Sequence, residues 1–290
     1  ISQFPEWLDE LAARHGEQVR EALKGELAAE FAEANRIAHP ANLSSVEYGS
    51  DVVRALVAPY LRDQLLCWPS PPDEEEALGF HTQNLARVIA ILAKAGMLDV
   101  EVAAFCERRF LAEPLSDVGQ TWLQGLLAAD LARGLEAIRQ ALAGTPKEER
   151  GPAAVRWLAN LFGDRDYSHI TIRIDGSAVL LREYARLAYE YVRREDDVEH
   201  EGVFTPDQRD DAERARGRLL SALIETPGAE AHDTLLALAD EPLFEYLRDR
   251  LRLMARERAA ADSERQPWAA EAVAEFEKRF TTAPRTRDEL

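Results

Sequence analysis

Lysine is nearly missing from this chain. Four (Lys24, Lys94, Lys147 and Lys278) stand among 290 residues, and arginine supplies the other bases. Fifty-three acids against 35 bases leave a net charge of −18 and an isoelectric point near 4.8. Such a field repels a phosphate backbone, so nucleic acid is not the expected partner. Cysteine is scarce too. Cys67 and Cys106 are far apart with no CxxC spacing, which removes a disulfide framework and a zinc ribbon. Both are expected as reduced thiols buried on apolar helix faces. No apolar run is long enough for a membrane span and no signal peptide stands at the start, so a cytoplasmic location away from membranes is expected. The first residue is Ile1 rather than Met, which suggests a fragment. The closing RDEL is read as coincidence rather than as a retention signal.

Catalytic signatures are equally thin. The sequence holds no GxxxxGK[ST] phosphate loop, no GxGxxG, no GxSxG elbow and no HExxH pair. The six histidines read as surface or capping residues, and no cofactor is expected. Residues 164–175, DRDYSHITIRID, approach a calcium loop through Asp164, Asp166, Ser168 and Asp175. His169 stands where the turn needs glycine, and Ile172 offers no oxygen where one is needed.

What the chain does contain is a helical period almost throughout. Pro5 opens a helix with Trp7, Leu8 and Leu11, broken at His15-Gly16 and followed by a second through Val19, Leu23, Leu27 and Phe31. Ser50 starts another that Pro59 should kink. Asp73 and Glu76 form an N-terminal capping pattern for a helix ending at Gly96, and Asp99 caps the next. The stripe Leu123, Leu127, Leu131, Leu135, Ile138 and Leu142 predicts one long helix over 117–143. Thr145-Pro146-Lys147-Glu148 predicts a capped start with proline in the first turn. HITIRI (169–174) alternates and reads as a short strand or an extended linker. Helices then follow over 177–193, 206–225, 229–239, 242–262 and 269–280.

The pattern gives an all-α fold: about a dozen helices in an irregular stack of helical hairpins, an α-solenoid of HEAT- or TPR-like kind. The expected organisation is an N-terminal lobe (1–163), a joint (164–176) and a C-terminal lobe (177–290), or one continuous solenoid. WLxxL recurs at Trp7, Trp122 and Trp157, the last two 35 residues apart. Patterning of buried faces and a divergent helix-pair repeat both account for it.

The densest charge lies in YVRREDDVEHEGVFTPDQRDDAERARGRLL (191–220). Thr205 reads as the cap of a helix with Pro206 in its first turn, and Asp207, Asp210 and Asp211 sit where the helix dipole favours acids. Asp210 is expected to face Arg214, and Glu213 to face Arg209 and Arg216. Between the helices lies a charged loop. Arg193, Arg194, Asp196, Asp197, Glu199, His200 and Phe204 are the candidate partner contacts. The competing reading is a metal-dependent hydrolase using acids near 164–175 and 195–211.

GVFTPDQRDDAERARGRLLSALIETPG (202–228), with RERAAADSERQPWAAEAVAEFEKRF (256–280) and the opening WLDELAARHGEQVREAL, resembles the helical region of large bacterial NACHT/STAND-type NTPases. The resemblance implies a sensor or scaffold that binds a protein partner and relays the event to an NTPase module elsewhere, in a setting such as anti-phage defence. It carries over no catalytic residue.

Overall fold

The computed structural model describes residues 4–5, 7–32, 40–162, 170, 172, 174, 177–200 and 202–264, with backbone alone for 260–264. Twelve α-helices and no strand occur among the described residues, so the chain is all-α. They are α1 (Trp7–Ala32), α2 (Ala41–Glu47), α3 (Asp51–Leu66), α4 (Glu75–Lys94), α5 (Val100–Ala112), α6 (Asp117–Ala129), α7 (Leu131–Gly144), α8 (Arg150–Phe162), α9 (Ala178–Tyr191), α10 (Gln208–Glu225), α11 (Ala229–Ala239) and α12 (Arg248–Glu264).

The chain divides into two units, Ile1–Ala222 and Leu223–Leu290. In the first, alternate helices touch. The odd members α1, α3, α5, α7 and α9 pack in succession, and the even members α2, α4, α6 and α8 do the same. Sequence neighbours such as α5 and α6 pack across the two layers. The core between them is aliphatic, studded with edge-to-face aromatic pairs: Phe105 on Trp122, Phe110 on Trp157 and Phe162 on Tyr184, with ring centroids 5.4–5.6 Å apart. Each such pair adds about 1 kcal/mol beyond its buried area. In the second unit α11 packs on α12, with a 3-10 turn over Pro242–Leu247 between them and Phe244 fully buried.

Local chemistry explains most boundaries. His15 (φ −135°, ψ 42°) breaks α1 where His-Gly predicts it. Ser50 Oγ accepts from Val53 N, and Asp99 accepts from Glu101 N and Val102 N. Gly96 at φ 67° ends α4 in the left-handed turn that a Cβ would disfavour.

Several expectations are corrected. Residues 117–143 form two helices, because Asp130 leaves helical geometry (φ −156°, ψ 98°) and its carboxylate caps Arg133 N. An acid that can bond the backbone ahead of it prefers the cap to the helix interior. Thr145 does not start α8. Its hydroxyl donates to Ala141 O at 2.8 Å, closing α7, and α8 begins at Arg150 after a turn. Asp73 makes no cap; Glu74 precedes α4 without a side-chain bond. Cys106 is buried, but Cys67 at the end of α3 is exposed. Trp7 is 61% exposed, whereas Trp122 and Trp157 are buried in α6 and α8. The echo at 35 residues therefore joins successive helices of one layer. Ile170 is buried, and Ile172 and Ile174 pack against the core, in no strand. Most of 164–176 and all of 269–280 lie outside the described residues.

Candidate functional site

Val192, fully buried, ends α9 with its N–H bonded to Ala188 O at 2.8 Å. A single 3-10 turn follows over Arg194–Asp196. It delivers Asp197 toward α10, where Arg209 and Arg216 lie seven residues apart on one helix face. Asp197 Oδ1 accepts from Arg209 Nη2 at 3.0 Å and from Arg216 Nη1 at 3.2 Å, and its Oδ2 accepts from Arg216 Nη2 at 2.5 Å. The same two arginines hold the loop backbone. Arg209 donates to Arg193 O, and Arg216 donates to Val192 O at 2.6 Å while lying over the Tyr189 ring. Arg216 is buried, so its charge is compensated by the carboxylate and the carbonyl together.

A second clasp closes the loop's far end. Asp207 Oδ1 accepts from Arg209 N and Asp210 N, and Asp210 Oδ2 accepts from Asp207 N at 2.7 Å. This is a reciprocal capping box built from two aspartates, so α10 is capped by Asp207 rather than by Thr205. Asp210 Oδ1 meets His200 Nε2 at 2.7 Å, and the imidazole stacks on Phe204 with ring centroids 3.7 Å apart. The Asp207 N–H, and after it His200, holds the Asp210 carboxyl below the usual carboxylate range.

The candidate contacts therefore separate. Asp197 and His200 are brought to α10 and occupied by it. Arg193 pairs with Asp196 at 3.1 Å on the exposed side. Arg194 and Glu199 are exposed, and Phe204 keeps an exposed edge. Beside them Val198 (55%) and Val203 (106%) project into solvent, two apolar residues the charge-led reading of the sequence passed over. Gly202 at φ 83° turns the backbone that presents Val203. On one flank the loop borders a cleft of about 950 Å³, walled by Lys147, Arg150, Tyr191, Arg193, Asp196 and Arg209.

The acids of 195–211 do not converge. No group of three or more His, Cys, Asp or Glu side chains suited to a metal occurs among the described residues. Asp164, Asp166, Ser168, His169 and Asp175 of the calcium-like loop lie outside the described residues, and Ile172 packs on the core. Arg214 pairs with Asp211 at 3.6 Å, and Arg216 reaches Glu213 only at 4.0 Å. The clamp on Asp197 was missed in the sequence. Its one signal is that Arg209 and Arg216 share a face with the core residues Ala212 and Leu219, which turns them inward. No helix among the described residues is long and apolar enough to cross a membrane. The chain matches no protein-family model, no curated protein and no solved structure.

Proposed function

We propose that this chain is a non-catalytic recognition and scaffold module, an irregular α-solenoid that binds a protein partner through the loop 193–204 and relays the event to an NTPase. The observation that carries the reading is the construction of that loop. Asp197 and His200 fasten it to α10, while Val198 between them and Val203 and Phe204 beyond His200 stay exposed. Exposed apolar side chains on a fastened loop need little ordering on binding, so their burial goes into affinity. The alternating two-layer packing supports the solenoid. The NTPase, and a role in bacterial defence, are supported by the sequence resemblance.

The test is affinity capture with the tagged chain beside a Val198→Ser, Val203→Ser variant. Both positions are exposed, so the variant should keep the parent's melting temperature. A specific protein retained by the parent and lost by the variant is the expected result. Equal retention by both would remove the loop from the function.

A further inference from the structure

We propose that the even layer carries a docking groove for an extended polypeptide segment bearing lysine or arginine side chains. A groove of about 820 Å³ crosses α4, α6 and α8 and reaches the first turns of α10, all within the first unit. It lies apart from the loop 193–204, none of whose residues lines it. Three features define its ligand.

The first is charge. Glu75, Asp117 and Asp211 line the groove, and no lysine or arginine does. Asp211 is buried and Asp117 is exposed, with Arg214 and Arg156 approaching them at 3.6 and 2.6 Å. Glu75 makes no ion pair among the described residues. Glu75 is thus the carboxylate left to meet a cationic side chain, on a chain whose net charge of −18 repels phosphate.

The second is a series of side-chain amides, one from each successive even helix: Gln83 on α4, Gln124 on α6 and Asn160 on α8. An amide offers a donor and an acceptor together, which is what an extended backbone presents at each residue. Gln83 has no partner of its own among the described residues, Gln124 donates to Asn160 O at 3.4 Å, and the Asn160 amide already meets that of Gln120 at 2.5 Å, so Gln83 is the amide wholly open to a ligand. Amides on consecutive helices recognise main chain, whatever its sequence, while the acids select the side chains.

The third is an apolar lining of Leu78, Phe80 and Ala159, which shields those hydrogen bonds from water. The groove is open at Gly79, where an added Cβ would meet nothing within 4 Å.

The ligand class is thus protein, as in the recognition reading above, but the surface is a different one. The experiment titrates the full chain against a fluorescein-labelled peptide of alternating Lys and Ala, read by anisotropy. Saturable one-to-one binding is expected, weakened by about tenfold or more in Gly79→Trp, which fills the groove, and in the Gln83→Ala, Gln124→Ala double variant. The same peptide N-methylated at alternate amides keeps its charge and should lose a similar factor. Removing one acid from the second unit, Glu257→Gln, should change nothing, and neither should Val198→Ser with Val203→Ser. The last comparison separates the groove from the loop, since the loop could fail as a partner site with this result intact. No binding at millimolar peptide overturns the proposal. So does equal binding by Gly79→Trp with an unchanged circular-dichroism melt, or an N-methylated peptide that binds as well, which would mean diffuse attraction. A dimer of the parent chain that Gly79→Trp dissociates would place a second copy in the groove, and also overturns it.

Discussion

Arg216 and Asp197, 19 positions apart in the chain, meet Nη2 to Oδ2 at 2.5 Å, and the arginine is only 8% exposed. This pair converts a charged stretch into a fixed loop. Asp197→Ala removes two charged hydrogen bonds from a buried guanidinium. A loss of about 2–3 kcal/mol in urea unfolding is expected, with faster proteolysis inside 193–204. Arg216→Ala should cost a similar amount, and the double variant less than the sum of the two. Strict additivity would show that the pair is not coupled.

His81 accepts a hydrogen bond from Trp68 Nε1 at 3.1 Å and is 1% exposed. Burial, and then Arg109, lowers its pKa from 6.5 to about 4. The folded chain refuses a proton that the unfolded chain takes up, so this contribution is intact above about pH 6.5 and is lost as pH falls toward 4. The loss is about 3 kcal/mol. His81→Gln keeps an acceptor but cannot titrate. The parent's extra loss of stability between pH 7 and 4 should vanish in that variant; parallel pH profiles would refute this.

The two thiols should behave differently. Cys67 is exposed, whereas Cys106 is buried and its burial pushes the thiol up to about 12. A maleimide should label Cys67 in the folded chain and reach Cys106 only on unfolding. Mass spectrometry showing double labelling without denaturant would contradict the burial of Cys106.

Gly119 cannot carry a side chain. A Cβ there would stand 2.0 Å from the Glu113 carbonyl oxygen, which is backbone and cannot swing aside. Gly119→Ala should destabilise by about 1–3 kcal/mol despite its helical setting. Gly79→Ala in an open position of α4 should stabilise by roughly 0.5–1 kcal/mol. The two melting temperatures should move in opposite directions.

Asp130 separates α6 from α7 and caps Arg133 N at 3.0 Å. Asp130→Ala should cost about 1 kcal/mol, and Asp130→Asn much less, because the amide oxygen still accepts. An unchanged melt for the alanine variant would mean that tertiary packing alone holds the break.

The fold class was legible because a helix buries one stripe, and the stripe is written in the order of residues. Ser50, Asp99, Gly96 and His15 also act through partners within a few positions, so their roles could be read directly. The misplaced starts had a common cause. Thr145 and Thr205 each offered a cap, but the hydroxyl of one closed the preceding helix, and Asp207 took the place of the other. Competition among nearby oxygens is settled by geometry that spacing does not encode.

The sequence by itself determined that the chain is a stack of amphipathic helices without the common nucleotide or zinc-protease motifs, because period and motif are local properties. Tertiary structure alone decided which charges are spent inside the fold and which remain outside. Asp197 reads like its neighbour Asp196 in the chain, yet one is clamped by α10 and the other faces solvent. Gln83, Gln124 and Asn160 are unremarkable singly and share a groove only because alternate helices pack side by side. Contacts between distant segments depend on how the layers close, and that is a property of the packed whole.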